Sequence, residues 1–404
     1  MFIDSRGQSV VIDMVVLEGI YSDFLPLVEA VVSSSVFGCE SKVTISDVQT
    51  GLAEEGKEPY GDRFKLVIPF AGQQISWSVV LDALNPHFPP DFCFDDPSFL
   101  SSTNPEFLEE HVPSLLNWNP ENPNALLQVV EELLTLYRKH QVDQLKNYSR
   151  LQFEYTSVIS QDGISEDDVE VLVQCKDRKQ LDQEGPPPVH FSIRLPVDYT
   201  CLPPENDTSP DLGPKEALLY VTFPASNDIG LHPKIGGPLM SRFSPKLQLS
   251  CQLERSLYYP CLRVPCFPPG RCLVDYVPAV IELLDSEVKS VSNSFNLRKD
   301  FLAALLVEFG SSVLEYDALT FSKACILYDD GVLLCLVYVA LPPKFPKDKP
   351  LYLWQSVRCL PYGKPYTCKV EDYPYSPRWS MTEMMYRLKV FMKEYAVDFF
   401  RQCS

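Results

Sequence analysis

The sequence predicts an α+β fold in which one helix-and-sheet copy occurs three times in tandem. Strand-like runs come in antiparallel groups, and helical patterns flank each group. Each copy also carries a Pro-Pro pair, which begins at residue 89, 203 or 342. These pairs are 114 and 139 residues apart, a spacing typical of domains and not of short solenoid repeats. The 404 residues are enough chain for several hydrophobic cores.

The first copy begins with a helix and continues as an antiparallel meander. Apolar residues between Leu17 and Val32 recur at helical spacing and predict the helix. Strands are predicted over residues 42–45, 63–70, 75–81 and 92–94. The prolines of segment 85–90 route the chain across the sheet, because proline cannot donate to a central strand. A second helix is predicted over 126–137, where the apolar residues share one face.

The third copy repeats this order near the C-terminus, and the middle copy is a degraded version of it. In the third copy, helices are predicted over 301–309 and 381–392, strands over 324–328, 332–340 and 351–354, and a crossing over 341–346. In the middle copy, strands are predicted over 169–175, 191–197 and 217–223, and a helix over 277–284.

The copies are expected to be joined by short linkers. A helix over 141–155 is predicted to bridge the first two copies, and residues 290–297 fall between the second and third. Polar insertions at 180–188 and 204–214 are predicted to be mobile surface loops. The predicted domains are therefore residues 1–146, 147–292 and 293–404.

Charge and composition exclude several classes of function. The chain carries 35 basic and 54 acidic residues, which give a net charge of −19. Such a field repels nucleic-acid phosphates and anionic lipids, so neither nucleic acid nor a membrane is an expected partner. No run approaches the roughly 18 apolar residues of a membrane span. The 13 scattered cysteines are typical of a reducing compartment, and we expect a protein of the cytoplasm and nucleus.

Residues for catalysis or metal binding are sparse. The five histidines are isolated, and three cysteines between residues 261 and 272 lack a fourth ligand for zinc. Cys368 is the thiol considered as a nucleophile, but Glu371 and Asp372 beside it would raise its pKa and disfavour the thiolate. The sequence therefore predicts no catalytic residue, no metal and no cofactor.

Two motifs resemble the ubiquitin-conjugating (UBC) fold. They are Asn85-Pro86-His87-Phe88-Pro89-Pro90 at the first crossing and Trp118-Asn119-Pro120 ahead of a helix. A conjugating enzyme also needs a cysteine thiolate beside a His-Pro-Asn turn, whose Asn stabilises the oxyanion of thioester transfer. The first copy has no cysteine between Cys93 and Cys175 and no His-Pro-Asn turn. It therefore resembles the catalytically inactive UEV variant of the fold.

Longer motifs resemble the BRE family over essentially the whole chain. They are Gly61-Asp62-Arg63-Phe64-Lys65-Leu66, Phe88-Pro89-Pro90-Asp91-Phe92, Leu195-Pro196-Val197-Asp198, Val274-Asp275-Tyr276-Val277-Pro278 and Tyr373-Pro374-Tyr375-Ser376-Pro377-Arg378-Trp379. The resemblance implies tandem UEV-like domains. It also implies a non-catalytic adaptor in the BRISC and ARISC (BRCA-A) deubiquitinase complexes, which act on lysine sixty-three-linked polyubiquitin.

The resemblance implies a set of protein partners as well. The N-terminal copy would face the MPN− scaffold (Abraxas or Abro type) of a JAMM metalloprotease, and the C-terminal copy would hold a MERIT-type subunit with a VWA domain. Ubiquitin and a serine hydroxymethyltransferase are expected at the assembled complex. An E2-like cofactor or enzyme that promotes ubiquitin transfer is the alternative, and thioester formation with an activating enzyme would distinguish it.

Two surfaces are candidate partner-binding sites. One comprises Phe88, Pro89 and Pro90 at the first crossing; the other comprises Tyr373, Pro374, Tyr375, Ser376, Pro377, Arg378 and Trp379 with Met384 and Met385. Methionine adapts to partner surfaces, but a methionine stripe at helical spacing or a tryptophan before a helix is also typical of core packing. Both interpretations stay open. The lysines at 344, 347, 349, 364 and 369 predict a basic patch for an acidic tail or a ubiquitin face.

Overall fold

The structure is a computed structural model that describes residues 19–34, 43–51, 61–101, 104–174, 187–204, 215–224, 245–257, 262–268, 270–331, 333–360 and 363–403. These ranges contain helices and three antiparallel sheets, so the predicted α+β fold class is confirmed. The insertions predicted at 180–188 and 204–214 lie almost entirely outside the described residues. No helix among the described residues is both long enough and apolar enough to cross a membrane.

The first sheet has the strand order β1-β2-β3-β4. Its strands are β1 (Thr44–Gln49), β2 (Arg63–Phe70), β3 (Gln73–Val80) and β4 (Asp91–Phe94). Every second side chain of β2 is buried, as expected for a strand with one face on a core. Ala71 and Gly72 connect β2 to β3, and their positive φ angles of 48° and 73° form the two-residue turn of a tight hairpin.

Helices cover the inner face of the first sheet. They are α1 (Leu25–Ser33), α2 (Pro105–His111), α3 (Pro113–Leu116) and α4 (Ala125–Leu145). The described part of the predicted first helix begins as a turn, and α1 starts only at Leu25. Pro26 favours that start, because a proline in the first helical turn lacks an N–H that would have no partner there. The apolar face of α4 is buried as predicted.

The second sheet has the order β5-β6-β7-β8, and its strands are β5 (Val169–Val173), β6 (Val189–Arg194), β7 (Ala217–Phe223) and β8 (Lys246–Leu249). Helix α5 (Ser149–Ile159) precedes it and α6 (Cys251–Leu257) follows it. β5 is buried along nearly its whole length, which indicates that both faces are covered. The single helix predicted over 141–155 is wrong, because the N–H groups of residues 146–148 bond three residues back and separate α4 from α5.

The third sheet has five strands in the order β13-β12-β11-β10-β9. They are β9 (Val313–Tyr316), β10 (Lys323–Asp329), β11 (Leu334–Ala340), β12 (Leu351–Ser356) and β13 (Thr367–Val370). Helix α7 (Leu273–Phe309) precedes the sheet and α8 (Met381–Cys403) follows it. Phe301 and Leu305 of α7 share one core with Leu388 and Phe399 of α8 and with the inner face of the sheet.

The chain divides into two compact units. One comprises Met1–Pro196, Gly213–Leu253 and Cys261–Ile281 and contains the first two sheets; the other comprises Val197–Leu212, Glu254–Pro260 and Glu282–Ser404 and contains the third. The domain boundary predicted after residue 146 lies in the turn between α4 and α5, and the one predicted after residue 292 lies inside α7. The division into three domains stays a prediction.

Candidate functional site

Segment 371–380, between β13 and α8, is hydrogen-bonded to residues 346–350, which precede β12. The Tyr373 hydroxyl donates to the carbonyl of Pro350, and the Tyr375 hydroxyl donates to the carbonyl of Pro346. Burial raises the pKa of Tyr373, and it raises the pKa of Tyr375 to about 12. Both hydroxyls therefore stay protonated and keep donating at physiological pH.

Trp379 closes this segment at the start of α8. Its backbone N–H donates to the carbonyl of Ser376 at 3.2 Å, and the guanidinium carbon of Arg387 lies 5.5 Å from the centroid of its ring. Ser380 caps α8, because its hydroxyl accepts from the N–H of Glu383 at 3.2 Å. Glu383 in turn accepts from Arg387 at 2.7 Å. The half-buried tryptophan is thus packed against the first turns of α8.

The methionines grouped with this segment lie in the core. Met384 and Met385 are only 5% and 3% exposed and pack with the inner face of the third sheet. The structure brings the aromatic residues of the segment together but places both methionines behind them. The surface that a partner could reach is formed by Pro374, Pro377 and Arg378, which are exposed. That the segment binds a partner stays a prediction.

The first crossing follows a loop that is held by side-chain hydrogen bonds. The Asp82 carboxylate accepts from the side chain of Asn85 and from the N–H of Leu84, and these bonds lower the pKa of Asp82. The indole Nε1 of Trp118 donates to the carbonyl of Pro86 at 3.0 Å. This tryptophan therefore anchors the crossing, as expected for a packing role.

The three candidate residues of the first crossing differ in exposure. Phe88 is 63% exposed and Pro89 is exposed, whereas Pro90 is buried. A large aromatic ring held in solvent by a fixed loop is typical of a protein contact, because it loses little conformational entropy on binding. Phe88 and Pro89 form the accessible part of this candidate surface, and its binding role also stays a prediction.

A buried cluster missed by the sequence analysis joins the first two sheets. We call Arg138, Gln141 and Glu170 the polar seam. Glu170 of β5 is 8% exposed, and its Oε2 accepts from the N–H of Ala71 at 3.0 Å. Arg138 of α4 places Nη2 3.7 Å from the other carboxylate oxygen. Burial raises the pKa of Glu170, although the Ala71 hydrogen bond and the charges of Arg138 and Arg194 act in the opposite direction.

Gln141 extends the polar seam along α4. This side chain is 1% exposed, and its Oε1 accepts from the N–H of Val173 at 2.9 Å. Its Nε2 donates to Asp96 at 3.1 Å. One amide thus bonds to β5 and to the segment that follows β4. Because buried polar groups are costly unless hydrogen-bonded, these bonds favour one arrangement of the two sheets.

The predicted basic patch is exposed but partly neutralised. All five of its lysines are exposed. Lys349 donates to the carbonyl of Glu371 and lies 5.1 Å from the ring centroid of Tyr373. Lys369 Nζ lies 3.6 Å from the Glu371 carboxylate. Lys349 and Lys369 therefore share the neighbourhood of Glu371, and that the five lysines form one basic patch stays a prediction.

Cys368, the thiol considered as a nucleophile, lies on β13. Its Sγ is 3.1 Å from the hydroxyl of Tyr395, which belongs to the helix packed on the inner face. The pKa of that hydroxyl is raised, chiefly by burial, so the tyrosine is not a base for the thiol.

One Ser-His-Asp group was not anticipated from the sequence. Ser98 Oγ donates to Asp96 at 2.6 Å and lies 3.1 Å from His140 Nε2. The same Nε2 lies 3.4 Å from Asp96, so a single ring nitrogen faces both residues and the geometry differs from a hydrolase triad. In the described part of the chain, no three His, Cys, Asp or Glu side chains are grouped to hold a metal ion.

Comparisons with known proteins give a consistent result. The family model described as "Brain and reproductive organ-expressed protein (BRE)" matches residues 18–360. A Branchiostoma floridae protein named "BRISC and BRCA1-A complex member 2" is 36% identical over 401 residues, which are 98% of this chain and 97% of that protein. A Danio rerio protein of the same name is 34% identical over 390 residues, 95% of each chain.

Proposed function

Because the chain belongs to the BRE family, we propose that it is a non-catalytic scaffold subunit of the BRISC and BRCA1-A complexes. The observation that carries the proposal is the similarity to two proteins named as members of these complexes, over 95% or more of this chain. Similarity of this extent includes every sheet of the structure, so the proposal concerns the whole chain and not one copy.

The finer proposal concerns the work of the complex. The chain bridges the MPN-domain core of a JAMM-type deubiquitinase, which cuts lysine sixty-three-linked polyubiquitin, to a MERIT-type subunit. It acts by proximity, since tethering raises the effective concentration of the partners without chemistry in the tether. The three sheets, each with helices beside it in the sequence, support the proposal of three UEV-like copies. The subunit serves complexes in both the cytoplasm and the nucleus.

The polar seam supports a scaffold role within the first compact unit. A scaffold must hold its own parts in one arrangement if it is to position its partners. Glu170 and Gln141 bond the second sheet to the hairpin turn of the first sheet and to α4. Breaking such buried polar bonds costs more than breaking exposed ones, because the groups left behind lie away from water.

We assign the two candidate surfaces to different partners. Phe88 and Pro89 contact the MPN− scaffold of Abraxas or Abro type, and Pro374, Pro377 and Arg378 contact the VWA domain of the MERIT-type subunit. Ubiquitin and a serine hydroxymethyltransferase meet the assembled complex. The exposure of all five residues supports this assignment.

Affinity purification of the tagged full-length chain tests the scaffold proposal and the assignment of Phe88. We expect the wild type to retain the JAMM metalloprotease and the MERIT-type subunit. Phe88→Glu should lower the retained amount of the metalloprotease core at least tenfold and leave retention of the MERIT-type subunit unchanged. The variant places a charge where the Phe88 ring would pack against the partner. Phe153→Glu, at a residue 52% exposed on α5, is the matched control. Retention of neither partner by the wild type would contradict the scaffold proposal.

A charging assay separates the scaffold from the E2-like alternative. The full-length chain is incubated with activating enzyme, ATP and ubiquitin and analysed without reductant. We expect no thioester, because the first copy lacks the nucleophile of a conjugating enzyme and the Cys368 thiol contacts a tyrosine hydroxyl instead of a general base. A reductant-sensitive ubiquitin adduct that disappears in Cys368→Ser would establish the alternative instead.

A further inference from the structure

The third sheet presents an apolar outer face. Both α7 and α8 contribute to the core under its inner face. Side chains of a strand alternate between faces, so the residues between the buried ones point outward. On the neighbouring strands β11 and β12 these are Leu334, Leu336, Tyr338 and Ala340 of β11, and Leu351, Leu353 and Gln355 of β12. Leu351 and Leu353 are 44% and 38% exposed, which is high for neighbouring leucines.

Tyr338, Ala340, Leu351 and Leu353 line a groove with a volume of about 620 Å³. Its floor is formed by β11 and β12, where Tyr338 pairs with Leu353 and Ala340 pairs with Leu351. The apolar part of the groove is therefore a strip two strands wide. Its centre offers side-chain carbon and one tyrosine hydroxyl, whereas the backbone N–H and C=O groups of both strands are used within the sheet.

A lysine borders this strip on each side. Lys323 of β10 pairs with Ala340, and Lys369 of β13 pairs with Leu353, so both lysines share the face with the groove. Both are exposed, and both line the groove. Asp317 lies beyond Lys323, since its N–H donates to the Lys323 carbonyl at 2.9 Å, and it also lines the groove. Glu315 of β9 pairs with Cys325 and lines the groove at its far edge, and Glu371 lies at the outer side of Lys369. In a chain with a net charge of −19, an apolar strip between two lysines is an unusual surface.

We propose that this outer face binds an amphipathic α-helix of another subunit, with an apolar stripe flanked by acidic residues. The inference rests on the scaffold function proposed above and specifies the chemistry of one partner. The apolar stripe covers Tyr338, Leu351 and Leu353, and the flanking carboxylates face Lys323 and Lys369. Complementary charge selects the partner and its orientation, while apolar burial supplies most of the affinity.

Two arguments indicate that the bound segment is a helix: its backbone hydrogen bonding and its width. An extended segment laid over the leucines would leave its own N–H and C=O groups without partners, which is unfavourable away from water. A helix satisfies those groups internally. Strands β10 and β13 are three strand spacings apart, about 14 Å, and a helix with its side chains is about 10–12 Å wide. One helix along β11 and β12 therefore fits between the two lysines.

Two variants of the full-length chain test the face within the purified complex. Leu353→Glu places a carboxylate in the strip, and the double variant Lys323→Glu, Lys369→Glu reverses both borders. We expect each to lower retention of one and the same subunit at least tenfold. Tyr386→Glu on α8, at a residue 61% exposed, is the matched control and should retain it. Unchanged thermal midpoints show that the variants fold.

A photo-cross-linking amino acid in place of Leu353 then identifies the occupant. In the assembled complex we expect a cross-link to a segment with apolar residues at i, i+3, i+4 and i+7 and acidic residues beside them. Replacing those acidic residues by lysine should restore binding to the double variant. A cross-link to a second copy of this chain, to ubiquitin or to a segment without this pattern overturns the inference.

The same purification separates the two proposals. If the wild type retains no subunit, the scaffold function fails. If it retains its subunits and both outer-face variants do so equally, the scaffold function stands and the outer-face inference is wrong.

Discussion

Glu170 links the first two sheets by a hydrogen bond, yet its burial disfavours the ionised form of its own carboxyl group. Its carboxylate accepts from the N–H of Ala71, which is itself buried, and it faces Arg138 and Arg194. Burial nevertheless raises its pKa, so ionisation is harder in the folded protein than in the unfolded chain. The contribution of Glu170 to the free energy of unfolding is therefore complete below about pH 4.3, the ordinary pKa of a glutamate in an unfolded chain. It is lost as the pH rises through the higher folded-state pKa.

The pH dependence of Glu170→Gln tests this sign. The amide keeps an oxygen for the N–H of Ala71 but cannot ionise. We therefore expect its thermal midpoint to fall less than that of the wild type between pH 4.5 and pH 7.5. Glu109→Gln, at an exposed carboxylate, should behave as the wild type does. Equal slopes for all three proteins would show that Glu170 does not titrate in this range.

Glu170→Ala tests the hydrogen bond itself. This change leaves the N–H of Ala71 without its acceptor and Arg138 without its nearest carboxylate. We expect the free energy of unfolding to fall by about 1–3 kcal/mol, the usual cost of a buried unsatisfied donor. Urea denaturation of the full-length chain measures it, and an unchanged midpoint would contradict the packing described for the seam.

Tyr375 illustrates a tyrosine that anchors one loop to another. Tyr375→Phe removes only the hydroxyl that donates to the carbonyl of Pro346. We expect the free energy of unfolding to fall by about 1 kcal/mol, the typical net contribution of one hydrogen bond. Tyr386→Phe, at an exposed site on α8, should change it by less than about 0.5 kcal/mol. If the two variants lower the free energy of unfolding equally in urea denaturation, the Tyr375 hydroxyl does not stabilise the loop and only packing of its ring does.

The hairpin turn between β2 and β3 contacts residues of the second sheet. Gly72 has a φ angle of 73°, and a β-carbon added there would lie 2.5 Å from the ring of Tyr220 on β7. Two demands therefore meet at this position: a left-handed backbone and room for a neighbouring ring. Gly270 has a φ angle of 76° but nothing within 4 Å of its β-carbon position.

The pair Gly72→Ala and Gly270→Ala separates these two demands. Both variants should lose about 1 kcal/mol from the left-handed backbone. Gly72→Ala should lose at least about 1 kcal/mol more, the lower range for overpacking a filled site, as measured by thermal or urea unfolding. If the two variants lose the same amount, the turn does not press on Tyr220 in solution.

Elements with strong local patterns were the ones that the sequence could predict. β2 was predicted at its observed bounds, because its alternation is regular and a hairpin turn follows it. β8, β9 and β13 were not predicted, since their four residues give too little pattern to recognise and, unlike the equally short β4, they do not follow a Pro-Pro crossing. The polar seam was missed because Glu170 is far along the chain from Arg138 and Gln141 and from its partner Ala71. The one local indication was a glutamate between valines in β5.

Candidate surfaces were harder to predict than elements. The sequence indicated the two crossings, where proline and aromatic residues cluster, but it could not separate the exposed Phe88 from the buried Pro90. For Met384 and Met385 it left core and partner surface open, and their burial depends on how α8 rotates toward the sheet. The outer-face groove requires the register of four strands, which no single segment encodes.

At the scale of the whole molecule, α7 spans a position where the sequence suggested a linker. Residues 290–297 are helical, and Lys289 and Lys299 on either side are exposed. A protease must unfold several residues to cut a helix, so exposure of a lysine is not enough. We expect trypsin to cut the native chain after Arg263, which is exposed and outside a helix, well before it cuts at Lys289 or Lys299. Early cleavage at these lysines, read by mass spectrometry, would place a hinge there.

Because α7 is a single long helix, a chain truncated within it is expected to be unstable. A premature stop codon near residue 292 would end the chain in the middle of this helix and remove Phe301 and Leu305 together with the entire third sheet. The remaining stub would expose apolar side chains that the native chain covers. Such an allele should yield a protein that quality control degrades, and carriers should lose the subunit rather than express a shorter working form.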